Sequence, residues 1–141
     1  MPKPTQSSLI SAPKPPDEKI TVNLGCVDLG QIDLLVQEGF YSNRADFIRS
    51  AVRAQAALHA GAVRDAVARQ TLVLGLQRYT RPQLEDMRQA GEKLRVRVLG
   101  LAIIDTDVTP ELALATIESV TVLGALRASA PVRAALAARI G

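Results

Sequence analysis

The chain has 141 residues, a length that fits one domain or two small modules. Apolar residues make up 48% of it, whereas aromatic residues make up only 3% and Trp is absent, so any core must be aliphatic. A single Cys (Cys26) and a single His (His59) exclude an intramolecular disulfide and argue against a Cys/His metal site. We therefore expect no metal and no cofactor.

The net charge of +3 does not by itself indicate a nucleic-acid partner, because all of it lies in the second part of the chain. Residues 1–60 contain six basic and six acidic side chains, and residues 61–141 contain eleven and eight. No apolar run approaches the roughly 18 residues of a membrane span, and residues 1–16 lack the apolar stretch of a signal peptide. These features predict a cytoplasmic protein without a membrane partner.

Residues 1–16 are predicted to be a disordered arm. They include five Pro and three Ser and show no apolar periodicity. A solvated tail is the simplest interpretation of this segment. Its two basic residues, Lys3 and Lys14, are also able to neutralise one phosphate each.

Residues 19–24 alternate strictly between polar and apolar, which predicts a half-buried strand ended by Gly25. The apolar positions are Ile20, Val22 and Leu24, and the polar positions are Lys19, Thr21 and Asn23. A single strand leaves both of its edges unpaired, so we expect a second copy of the chain to pair with it antiparallel. The resulting two-stranded ribbon fits the major groove of B-DNA, where Lys, Thr and Asn side chains contact base edges.

Two helices are predicted after this strand. Apolar residues recur at helical spacing over residues 27–38, and Gly39 supplies a stop. Asn43 is suited to cap the next helix, with Asp46 three residues later as in a capping box. That helix is predicted to run toward Gln70 with a break near Gly61. Basic side chains on its polar face, Arg49 and Arg53, are interpreted as solvated rather than base-reading.

The runs KITVNL and IDLLVQEGFYSNRADFIRSAVR, within residues 19–53, resemble the CopG-like branch of the ribbon-helix-helix superfamily, which also includes ParD-type antitoxins. The resemblance implies an intertwined dimer, with base reading by the outward strand positions Lys19, Thr21 and Asn23. It also implies that the start of the second helix holds a phosphate, at Asn43, Arg44 and Ala45. Free amides and the helix dipole attract an anion at such a position. Two features depart from the pattern: Gly25 stands where Pro is frequent, and Gly30 lies inside the first helix.

The remainder of the chain repeats itself from about residue 71. One short motif occurs three times, and its final glycines are 25 and then 24 residues apart. The three copies are Leu72–Gly75, Val96–Gly100 and Val120–Gly124. Each copy is followed by a Ser or Thr with a Pro close behind it, a combination that starts helices. These start signals are Thr80, Thr109 and Ser129, and the helices that follow are predicted to include Ile117 and Ile140.

This pattern predicts three strand-helix units of about 24 residues with a parallel sheet and right-handed crossovers, which we interpret as solenoid-like. A small α/β domain with coincidental internal similarity is the alternative. The terminal strands of such a sheet have open edges, which either dock a partner or self-associate.

No catalytic constellation is recognised. The glycines are too far apart for a phosphate-binding loop, and the Ser, His and Asp residues form no supported triad. Asp105, Asp107 and Glu111 cluster near a helix start, where carboxylates are ordinary partners of the helix dipole. The sequence therefore predicts no enzyme.

The predicted fold is α+β: a ribbon-helix-helix domain followed by a small α/β solenoid-like module. The predicted boundaries are an arm at 1–16, the DNA-binding domain at 17–58, a helical connector at 59–70 and the repeat module at 71–141. The leading hypothesis is a nucleoid-associated, dimeric, sequence-specific regulator of transcription, in particular a repressor, bound to double-stranded DNA. The alternatives are an antitoxin that also binds a toxin through its C-terminal half, and a DNA-tethered structural protein that polymerises through residues 71–141. In the leading hypothesis the repeat module supports higher oligomers or senses a ligand.

Overall fold

The computed structural model of the protein describes residues 17–141, so the arm predicted at residues 1–16 lies outside the described residues. The chain divides into two compact units. One unit is Lys19–Gln70, and the other contains Thr71–Gly141 together with Asp17 and Glu18. Within residues 17–141 there are six α-helices and one three-stranded parallel sheet.

The first unit is helical after its opening segment. Its helices are α1 (Cys26–Gln37), α2 (Arg44–Leu58) and α3 (Ala60–Gln70). Gly39 ends α1 with a positive φ of 83°, and the Phe40 N–H returns to the Leu35 carbonyl at 3.0 Å, as in a glycine C-cap. The helix predicted at residues 27–38 is thus confirmed to within one residue at each end.

The break in the long second helix lies at His59, two residues before the predicted position. His59 leaves the helical region at φ −105°, ψ 14°, and its N–H donates to the Ala56 carbonyl at 3.0 Å. Gly61 is instead an ordinary residue inside α3. Gly61, although glycine is a weak helix former, therefore does not mark the break between α2 and α3.

The second unit alternates strands and helices. Its elements are β1 (Val73–Tyr79), α4 (Arg81–Ala90), β2 (Leu94–Ile104), α5 (Pro110–Thr116), β3 (Ile117–Arg127), α6 (Ala130–Leu136) and a 3-10 helix (Ala137–Arg139). The sheet order is β1-β2-β3, and both pairings are parallel. The predicted parallel sheet with three strand-helix pairs is therefore present, and its description as solenoid-like stays an interpretation.

Each helix of the repeats starts at the residue predicted from the Ser/Thr and Pro pattern. The hydroxyl oxygens of Thr80, Thr109 and Ser129 accept the backbone N–H groups three residues later, at 3.3, 3.2 and 3.4 Å. A proline occupies the first or second position of each helix. The Pro ring is tolerated there because the N–H that it lacks has no partner within the first turn.

Glycine fixes the register of the three strands. Gly75, Gly100 and Gly124 lie side by side across the sheet. All three have a positive φ, of 113°, 137° and 120°. A Cβ on Gly100 would collide with the carbonyl oxygen of Gly75, and one on Gly124 would collide with that of Gly100. The equal spacing of glycines in the sequence therefore reflects a close approach of neighbouring backbones.

The described core lies in the second unit and is aliphatic apart from Tyr79, as the composition predicts. Its fully buried side chains include Leu84, Val96, Val98 and Leu136. Thr116 is also buried, and its hydroxyl donates to the Leu112 carbonyl at 2.7 Å, which satisfies the polar atom inside the core.

Two helix ends were predicted wrongly. Ile117 is the first residue of β3 rather than the last of α5, and its side chain is fully buried. Ile140 lies beyond the 3-10 helix and forms a parallel bridge with Val120. Both have the apolar character of a helix face, and sequence spacing alone does not show that the backbone has already become extended.

Candidate nucleic-acid interface

The opening segment of the first unit, residues 19–25, has no strand partner within the described chain. These residues form no helix or strand, and every one of them is exposed. The apolar side chains are included: Ile20 is 80% exposed, Val22 66% and Leu24 44%. The apolar side chains of this alternating segment are therefore not buried within the described chain.

These apolar side chains lie over a groove of about 830 Å³ formed with the first two helices. The helical side chains that line it are mainly apolar: Ile32 and Leu35 of α1, and Phe47, Ile48, Ala51 and Val52 of α2. Within residues 19–70, Ile32 is the only buried residue. The unit therefore has an apolar surface where a small domain would have a core.

The three predicted base-reading residues do not all occupy equivalent positions. Lys19 and Asn23 are exposed and do not line the groove, whereas Thr21 contributes to its lining. Thr21 is nevertheless exposed to solvent. In the single chain, Lys19 and Asn23 are thus the two predicted base-reading residues that lie outside the lining of the groove.

The start of α2 has the predicted cap. The Asn43 Oδ1 accepts the Asp46 backbone N–H at 2.8 Å, and the Asp46 Oδ2 accepts the Ser42 N–H at 3.0 Å. Within residues 17–141, no acceptor of the chain receives the backbone N–H groups of Arg44 and Ala45. Two free amides and the positive end of a 15-residue helix therefore meet at this point.

Replacing Asn43 with Ala is expected to destabilise the protein by about 1 kcal/mol, because the Asp46 N–H loses its acceptor. Urea unfolding followed by circular dichroism measures the change. Ser50→Ala, inside the same helix, is the matched control and is expected to have an effect below about 0.5 kcal/mol. An Asn43→Ala effect no larger than that of the control would contradict the capping role.

The Arg44 side chain is held by Asp33 of α1. Its Nε and Nη2 atoms donate to the two carboxylate oxygens at 2.7 and 2.8 Å, a bidentate geometry. The Arg44 hydrogen bonds hold the pKa of Asp33 below its ordinary value, and the pair raises the pKa of Arg44. The Asp33 carboxyl is therefore a stronger acid in the folded protein than in the unfolded chain. The ion pair stabilises the folded protein at pH values above the ordinary pKa of Asp, and this stabilisation is lost as the pH falls through the lowered pKa of Asp33.

This ion pair was not found from the sequence, which singled out Arg44 for phosphate contact alone. The two residues are eleven positions apart on different helices, so their contact depends on how α1 and α2 cross. The guanidinium of Arg44 therefore has a competing acceptor, whereas the backbone amides beside it have none in the described chain.

The turn between α1 and α2 is held by aromatic packing. The rings of Tyr41 and Phe47 meet edge to face, with centroids 5.0 Å apart. Such pairs contribute roughly 0.5–1.5 kcal/mol beyond the area that they bury. This packing fixes the loop that leads directly to the free amides of Arg44 and Ala45.

The described residues contain no grouping of three or more His, Cys, Asp or Glu side chains suited to a metal ion. None of their helices combines the length and the apolar character needed to cross a membrane. The carboxylate of Asp105, expected from the sequence to be a partner of the helix dipole, accepts from Arg78 Nε at 2.7 Å.

The family model described as the Ribbon-Helix-Helix transcriptional regulator family matches residues 15–133. Comparison with curated proteins and with solved structures gave no significant match. The family match confirms the resemblance seen in residues 19–53 and extends well into the repeats, which that resemblance did not include. The chain therefore belongs to the Ribbon-Helix-Helix transcriptional regulator family.

Proposed function

We propose that the protein is a homodimeric repressor that reads a short operator through a two-stranded ribbon made from residues 19–24 of both copies. Residues 17–58 form the DNA-binding domain, 59–70 a helical connector and 71–141 a module for further assembly. The protein acts in the cytoplasm on nucleoid DNA. The observation that carries the proposal is the apolar side of residues 19–24, exposed over an apolar groove.

Dimerisation supplies the burial that the first unit lacks. Covering a large aliphatic side chain contributes about 1.5–3 kcal/mol relative to leaving it in water. A second copy that pairs along residues 19–24 covers Ile20, Val22 and Leu24 in both chains and provides backbone partners for both segments. This gain explains why residues 19–70 have so little core in one chain.

The polar side of the ribbon is then the surface that enters the major groove. Asn makes a bidentate contact with adenine, Lys donates to guanine, and Thr provides a hydroxyl and a methyl group. Asn23 and Lys19 are the primary readers, since they do not line the groove in one chain. Thr21 joins them when pairing with the second copy orders the strand.

The start of α2 binds the DNA backbone. The free N–H groups of Arg44 and Ala45 receive a phosphate oxygen, and the Arg44 guanidinium adds a charge when it leaves Asp33. This interaction orients the ribbon in the groove without selecting a sequence.

Arg44→Ala is expected to weaken binding to every duplex alike and to reduce the slope of log K against log salt by about 0.9 for each phosphate that is no longer neutralised. Asp33→Asn is expected to have the opposite effect, since it removes the competing carboxylate and frees the guanidinium. Fluorescence anisotropy across a salt series measures both. An unchanged slope in Arg44→Ala would show that Arg44 does not bind a phosphate.

Repression requires only that the bound dimer occupy a promoter. It is therefore the simplest form of transcriptional regulation for a protein of this kind. The antitoxin alternative has less support. A toxin-binding segment that folds only on binding its partner would have no core of its own, whereas the C-terminal half of this chain has its own sheet and core. The open edges of that sheet favour a role in assembly beyond the dimer.

A further inference from the structure

The two edges of the described sheet are β1 on one side and β3 on the other. The first part of β3 is already covered by the end of the chain: Ile140 bridges Val120, and the Gly141 N–H donates to the Val120 carbonyl at 2.9 Å. From Thr121 onward, the outer edge of β3 has no backbone partner among the described residues.

The free part of β3 matches β1 in extent. Through β2, Val73 is in register with Val122, and Arg78 is in register with Arg127. β1 has 7 residues, whereas β2 and β3 have 11 each. Val120, which Ile140 and Gly141 cover, lies in the part of β3 that has no counterpart in β1.

The glycines add a second correspondence between the edges. Inside the sheet, Gly100 lies against the Gly75 carbonyl, and Gly124 lies against the Gly100 carbonyl. Nothing described lies within 4 Å of a Cβ on Gly75, so this glycine has room for a preceding carbonyl. At the other edge of the described sheet, no further strand places a glycine against the Gly124 carbonyl. The β3 edge therefore has a free glycine carbonyl, and the β1 edge has a glycine with room to receive one.

Protein edges are generally protected by Lys, Pro or bulges, and neither β1 (VLGLQRY) nor the part of β3 from Thr121 onward contains any of these. The register places Arg78 beside Arg127, and each of these charges is already paired, Arg78 with Asp105 at 2.7 Å and Arg127 with Glu18 at 2.8 Å. Leu74 is 67% exposed, and Leu123, at the same register position of β3, is 51% exposed. Pairing of the two edges would place these leucines side by side.

We propose that β3 of one copy pairs in parallel with β1 of a second copy, with Gly124 beside Gly75, so that the sheet continues from molecule to molecule. This deepens the assembly role proposed for residues 71–141 and does not depend on DNA reading. Because the interface joins two different surfaces, it does not close on itself as a two-fold dimer does, and it produces open-ended chains.

A disulfide tests this register. In a Cys26→Ser background, the full-length L74C/L123C variant is expected to give a ladder of covalent oligomers on a non-reducing gel after mild oxidation. Within one chain the two positions are separated by β2, about 9.6 Å apart from the usual strand spacing. That exceeds the roughly 7 Å limit for a disulfide, so a bond must join two copies.

The controls separate this proposal from its rivals. L74C alone and L74C/L114C, which uses an exposed position on α5, are expected to give no ladder. Dimers from L74C alone would indicate pairing of two β1 edges and would overturn the proposal, as would equal ladders from both double variants.

Sedimentation velocity of the cysteine-free protein is expected to show mass rising with concentration, and Leu74→Lys is expected to abolish that rise. If DNA selection by L74C/L123C succeeds without a ladder, only the assembly proposal fails.

Discussion

Asn23→Ala is expected to weaken binding to the preferred operator by about 10- to 100-fold, equivalent to about 1–3 kcal/mol, while binding to an unrelated duplex changes little. Asn23 is exposed and does not line the apolar groove, so its removal leaves the proposed dimer interface in place. The variant lacks a bidentate hydrogen bond that only the correct base pair accepts. Competition anisotropy with matched and mismatched duplexes measures the two affinities.

The appropriate control for Asn23 is a basic residue outside the ribbon. Arg53→Ala removes a positive charge from α2 and is expected to leave base preference intact. Thr21→Ala is also expected to relax base preference, but Thr21 lines the groove, so dimer mass must be measured alongside DNA binding. If Asn23→Ala lowers affinity for every sequence equally, Asn23 acts on the backbone and the reading surface is assigned wrongly.

Gly100→Ala is expected to unfold or severely destabilise the repeat module, at a cost of about 3–5 kcal/mol. Two effects add: the φ of 137° is unfavourable for a residue with a Cβ, and the new atom meets the carbonyl oxygen of Gly75. The strand cannot move aside easily, because it pairs on both sides. Urea unfolding followed by circular dichroism measures the destabilisation.

Two other glycines provide matched controls. In the unassembled chain, Gly75→Ala has a similar φ of 113° but open space at the Cβ, so at protein concentrations too low for assembly it is expected to cost about 1–3 kcal/mol and less than Gly100→Ala. Gly30→Ala, inside α1 with nothing within 4 Å, is expected to stabilise the protein by about 0.5–1 kcal/mol. Equal effects at Gly75 and Gly100 would show that the close approach to the carbonyl is unimportant.

The features predicted well from the sequence are those set by local chemistry. Asn43, Thr80, Thr109 and Ser129 cap helices as predicted, because a short side chain accepts a backbone N–H a fixed number of residues later. The spacing of Gly75, Gly100 and Gly124 predicted the sheet register, because each repeat advances the chain by one strand.

The features missed depend on tertiary geometry. Asp33 and Arg44 meet because of the way α1 and α2 pack, and no spacing rule connects residues on different helices. Ile117 and Ile140 extend an apolar helical pattern although the backbone there is extended, since the same side chains suit either face. The strand predicted at residues 19–24 is a different case: the partner proposed for it is a second copy, so the structure of a single chain does not test it.

The measurement that tests the central claim most directly is selection of bound sequences from random duplex DNA. It uses the full-length protein beside a variant in which Lys19, Thr21 and Asn23 are all Ala. We expect the wild-type protein to enrich a short palindromic motif and the triple variant, still a folded dimer, to enrich none. The same motif from both proteins, or no motif from the wild-type dimer, would contradict a reading ribbon at residues 19–24.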